Sequence, residues 1–98
     1  MRTFLLVFNL NQISRLAVVD RVDGIHAIDD WIAFFDNSLC LVTALSAKEL
    51  SDALREAMPD VQFIVSEIEA GKRNGWLPKS VWNFIGHAKS ADTKAAAE

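Results

Sequence analysis

The chain holds a single cysteine, so no disulfide can close within it, and a reducing compartment suits it. It has no excess of positive charge. Ten basic residues stand against thirteen acidic ones, a net charge of -3, which removes the usual sign of a protein that coats duplex nucleic acid. No apolar run approaches the roughly 20 residues of a membrane-spanning helix. The glycines are four and isolated, which excludes a Gly-x-Gly-x-x-Gly turn and a Walker loop, and no Gly-x-Ser-x-Gly elbow is present. No internal repeat is visible.

What is there is an ordinary globular composition. Apolar residues make 51% of the 98 and charged residues 23%, which suits one folded domain and excludes disorder as the main state. Residues 1–86 form that domain. The tail from His87 to Glu98 is rich in Ala, Lys and Asp and lacks a large apolar side chain, so it is expected to be a flexible tail. The opening Met1-Arg2 with apolar Thr3 to Phe8 imitates a secretory leader. The apolar stretch is short and runs into Asn9, Asn11 and Gln12 with no small-residue cleavage site, so it reads as a strand and the chain as cytoplasmic.

Thr3 to Leu10 is apolar at odd and even positions alike, the pattern of a central strand covered on both faces. Ile13 to about Asp23 predicts a helix closed by Gly24, with Ile13, Leu16 and Ala17 on one face. Trp31 to Phe35 and Ser38 to Thr43 predict a hairpin turned by Asp36-Asn37. Ser46-Ala47-Lys48-Glu49 is a capping box, and Leu50, Ala53, Leu54, Ala57 and Met58 make an apolar stripe that Pro59 ends. Val61 to Ile68 predicts a fourth strand. After a polar loop, Pro78 opens a last helix with Val81, Trp82 and Ile85 buried and Gly86 at its end.

This order, βαββαβ and then α, predicts an α+β fold: a ferredoxin-like sandwich with an additional C-terminal helix, the first and third strands central. Two helices cover one face of such a sheet. The other face must receive large apolar side chains from both central strands, with the last helix hiding part of them. A second copy of the chain, docked on that face or along the fourth strand, is expected to hide the rest, so a homodimer is predicted.

Candidate chemistry is sparse. Asp20, Asp23, Asp29 and Asp30 crowd one stretch but match no calcium loop, and a solvated loop and helix end is the favoured reading. His26 and His87 have no spaced partners, and Cys40 falls in a central strand as a small buried hydrophobe. No metal and no cofactor are expected. The segment Gly71-Lys72-Arg73-Asn74-Gly75-Trp76-Leu77-Pro78-Lys79 is the richest. Its cations can meet phosphates and Trp76 can stack on a base; the plainer and favoured reading has Trp76 and Leu77 plugging the core. Trp31 and Trp82 read as core or interface. Phe4, Phe8 and Phe63 lack the basic and glycine positions of an RNA-recognition platform.

An Asn-Leu-Asn after the first strand, Trp31 opening the second, Ser38-Leu39-Cys40-Leu41-Val42-Thr43, Leu45-Ser46-Ala47-Lys48-Glu49-Leu50, and Gly75-Trp76-Leu77-Pro78-Lys79 before Trp82 together resemble a family of small bacterial proteins. These are similar to the smaller subunit of the CRISPR spacer-integration complex, and some are labelled SinR-like. The resemblance covers roughly residues 3–86 and implies a ferredoxin-like fold and dimers. In the CRISPR family the first strand typically ends in an aspartate for metal-dependent phosphodiester cleavage. The matching position is Asn9, whose amide cannot act as an anionic magnesium ligand or a general base. The resemblance so read implies a non-catalytic dimer that binds a partner, itself a protein or a nucleic acid. Two alternatives stand beside it: a nucleic-acid-binding scaffold using Asn9, Lys72, Arg73, Trp76 and Lys79, and a metal-dependent nuclease using other acids such as Asp20 or Asp29.

Overall fold

The computed structural model describes residues 1–69 and 71–93, with side chains described as far as Gly86 apart from Ala70. The chain is α+β, a four-stranded antiparallel sheet with three helices: β1 (Arg2–Phe8), α1 (Arg15–Asp23), β2 (Ile28–Phe35), β3 (Ser38–Thr43), α2 (Ala47–Ala57), β4 (Phe63–Glu67) and α3 (Lys79–Thr93). The strands lie in the order β2-β3-β1-β4, so the two strands apolar on both sides occupy the middle. Among the described residues no helix is long and apolar enough to cross a membrane.

Register sorts the side chains by face. Phe4 pairs with Leu41, Leu6 with Leu39 and Phe8 with Phe63. Phe4, Leu6, Phe8, Leu39 and Leu41 point to one side, where Val18 and Val22 of α1 and Leu50, Leu54 and Met58 of α2 close over them into the main core. Leu5 pairs with Cys40, and Cys40 with Ile32, so these point to the opposite side. There Val81 and Ile85 of α3 pack on Cys40 in a second, smaller core, with Ile32, Phe34, Ile68 and Leu77 around it. All six residues of β3 are consequently buried.

The helices begin where side chains cap them. The Ser46 hydroxyl accepts from the Glu49 N–H at 3.2 Å and the Glu49 carboxylate accepts from the Ser46 N–H at 2.9 Å, a complete capping box. That second bond holds the Glu49 carboxyl below its usual pKa. Ser14 caps α1, its hydroxyl accepting from the Ala17 N–H at 3.2 Å, so the helix starts at Arg15, two residues later than Ile13. The stripe of α1 also differs from expectation. Val18 and Val22 form it, whereas Leu16 is 82% exposed. Arg21 ties α1 to α2 by donating to the Ala57 carbonyl, an otherwise unpaired helix-end acceptor, at 2.7 Å.

Three strand limits shift. β1 stops at Phe8, not Leu10, because the Asn9 side chain turns the chain by accepting from the Asn11 N–H at 2.9 Å. β2 reaches back to Ile28 through an irregular register, and β4 is confined to Phe63–Glu67. α3 continues through Gly86 to Thr93; the remainder of the expected tail, residues 94–98, lies outside the described residues.

Leu54 is completely buried at the centre of the main core, and Ser46 contributes only a cap. Leu54→Ala should therefore cost about 2–5 kcal/mol and Ser46→Ala about 1 kcal/mol in urea unfolding. Equal losses would mean that α2 is held by its cap rather than by its stripe.

Candidate functional site

A cavity of about 650 Å³ opens between the second face of the sheet and α3. Its floor is Leu5 and Val7 of β1, Phe34 of β2 and Ser38 and Cys40 of β3; Trp82 and Ile85 of α3 form a wall. The connection from Ile68 to Leu77 supplies the remaining side and brings Lys72, Arg73 and Trp76 to it. Gly71 turns this connection with φ 84, a conformation that side-chain-bearing residues rarely adopt. The Asn74 carboxamide oxygen then accepts from the Gly75 N–H at 2.8 Å.

The structure divides the five candidate ligands. Lys72, Arg73 and Trp76 line the cavity, while Asn9 and Lys79 do not. Asn9 spends its amide on local structure, its oxygen on Asn11 and its nitrogen donating to Gln62 Oε1 at 3.3 Å. Lys72 sits 3.4 Å from Glu69 in an exposed ion pair. Trp76 corrects the favoured reading of its segment: it is 95% exposed and plugs nothing, whereas Leu77 does join the second core. Arg73 is half-buried, and its Nη1 is buried with no hydrogen-bond partner among the described residues.

The acidic stretch is not gathered. Among the described residues no three His, Cys, Asp or Glu side chains cluster as a metal site requires. Asp23 instead accepts from the Trp31 indole N–H at 2.7 Å, and Asp30 from the Trp31 backbone N–H at 2.9 Å. His26 is exposed, and the side chain of His87 lies outside the described residues.

Several cavity residues carried no signal in the sequence. Sheet register places Leu5 and Val7 on the cavity face, and the packing of β2 and α3 brings Phe34 and Ile85 to the same cavity as Arg73. Comparison of the sequence with protein-family models and with curated proteins, and of the structure with solved structures, finds no match.

Burial pushes the Cys40 thiol from an ordinary value of 9.0 up to about 11, against a smaller opposite pull from the Arg73 charge. The folded chain holds this proton more tightly than the unfolded chain does. The resulting stabilisation is complete below about pH 9 and is lost as pH rises towards about 11. The stability difference between wild type and Cys40→Ala should accordingly shrink across that window by of order 2 kcal/mol in urea unfolding. A difference that stays constant would place the thiol in water.

Proposed function

We propose that the chain is a ferredoxin-like βαββαβ domain with an additional C-terminal helix, working as a non-catalytic homodimer that binds a partner. The strand order β2-β3-β1-β4 is the one that two split βαβ units generate, which supports the fold name. Membership of the SinR-like group, with its bacterial and cytoplasmic setting, belongs to the same proposal.

The observation that carries the dimer is the contrast between the two sheet edges. The β2 edge is blunted by two register irregularities and by exposed Asp29 and Asp30. The β4 edge has no register irregularity and a single charge, Glu67 at its end, which lies beside Arg2. It is Phe-Ile-Val-Ser-Glu, regular against β1, with no lysine or proline, and its Ile64 is 63% exposed beside half-buried Val7. An unprotected apolar edge pairs readily with its own copy about a two-fold axis, extending one sheet across both chains. Asn9, already committed to a turn, supports the non-catalytic part of the reading.

Sedimentation at micromolar concentration is expected to give twice the chain mass, and Ile64→Lys is expected to give single chains of unchanged circular dichroism. A single-chain mass for the wild type overturns the dimer.

A nucleic-acid scaffold is the second reading, favoured by one observation: Trp76 stands free of the fold in the same connection as Lys72. Under this reading a single-stranded oligonucleotide quenches Trp76 fluorescence, with log affinity falling by about 0.7 per phosphate contacted for each unit of log salt. Unchanged quenching in Trp76→Ala would remove it.

A further inference from the structure

We infer that the cavity between the sheet and α3 is a binding site for a small apolar carboxylate whose head meets Arg73 and whose body lies against Leu5, Val7 and Trp82. The volume, about 650 Å³, is that of a small-molecule site. Its floor and its α3 wall are built mainly from aliphatic and aromatic side chains, and two cations stand at its side, Lys72, which is paired with Glu69, and Arg73. Small-molecule sites combine the same two elements, an apolar enclosure and a few polar groups that fix orientation.

Arg73 is the decisive residue. A buried guanidinium nitrogen without an acceptor is costly, and chains normally pair such a group. Among the described residues none does so: no Asp or Glu lines the cavity, and Arg73 takes part in no ion pair or hydrogen bond. Cys40, on whose thiol the Arg73 charge acts, is held in its neutral form and supplies no counter-charge. The missing partner is therefore an acceptor with negative charge, which a carboxylate presents to an arginine fork in planar, bidentate form. With the Lys72 charge met by Glu69, the Arg73 guanidinium is the unmatched cation, and it matches one negative charge. A phosphate dianion would leave its second charge desolvated and unpaired.

Aromatic acids and medium-chain fatty acids share this chemistry, and the test separates them. The full chain is titrated with 1-naphthoate and with octanoate, each beside its neutral alcohol, 1-naphthalenemethanol and 1-octanol, and followed by calorimetry and by amide chemical shifts. At least one acid is expected to bind about tenfold or more tightly than its alcohol, shifting the amides of Leu5, Val7, Cys40 and Trp82. The tighter acid identifies the source. Arg73→Met should erase the preference for acid over alcohol while leaving the alcohol's affinity unchanged. Arg73→Lys, which keeps the charge but not the fork, should retain part of it. Without ligand, Arg73→Met is expected to unfold at the same or a higher temperature than wild type, because it removes an unpaired buried nitrogen. Acid and alcohol binding equally, a preference that survives in Arg73→Met, or failure of every probe to saturate by about 10 mM overturns the assignment. None of these variants lies on β4, so the oligomeric state is read independently.

Discussion

The burial of β3 on both faces is the constraint on which the rest of the structure depends. A strand whose six residues are all hidden needs cover above and below, and the two covers differ in kind. On one side Leu39 and Leu41 sit in a core that α1 and α2 close with five large side chains. On the other, the fully buried members beside Cys40 are Val81 and Ile85 of a single helix, with only partly buried side chains around them. A fully buried aliphatic side chain contributes roughly 1.5–3 kcal/mol, so the first face carries most of the stability and the second carries little. One helix cannot cover a four-stranded face. What it leaves is a cavity at the centre and exposed Ile64 at the margin.

That asymmetry also explains which parts were legible in the sequence. α2 declared itself because its cap and its stripe are local: Ser46, Glu49, Leu50 and Leu54 act within a few residues of one another. The middle position of β1 and β3 was legible because residues apolar at odd and even positions cannot sit at a wet edge. α1 was harder. Its stripe is Val18 and Val22, not the face through Ile13, Leu16 and Ala17 that the sequence predicts, because tertiary contact selects the valines and leaves Leu16 in solvent. As expected, α3 hides part of the second face, burying Cys40 and leaving Leu5 and Val7 half-exposed. The surplus surface lies on β4 and on the free indole of Trp76.

The candidate site was only half legible, for a physical reason. The segment from Gly71 to Lys79 stood out by composition, but composition does not say which of its side chains turn inward. Trp76, its largest aromatic, is left in solvent, and Arg73, a permanent cation, has its Nη1 buried. Solvation alone predicts the opposite arrangement, and local propensity has no opinion on it. Such inversions of the ordinary preference are expected where a chain gives up stability for a binding surface.

The inward placement of Arg73 is held by the connection itself. Ile68 is fixed at one end, its N–H donating to the Thr3 carbonyl at 2.8 Å beyond the last β4 pair, and Leu77 is fixed at the other by its contacts in the second core. Between them Gly71 takes a positive φ and Asn74 bonds the following N–H, so the path is set by backbone geometry at two further points. A surface arginine on a free loop would swing to water at almost no cost. Here the backbone that carries Arg73 is anchored at both ends, and the anchors lie on the same two layers, sheet and α3, that form the cavity. The cation and the enclosure therefore depend on the same packing. A change that loosened α3 from Cys40 would lose both together, which is the coupling expected of a site built into a fold rather than laid on its surface.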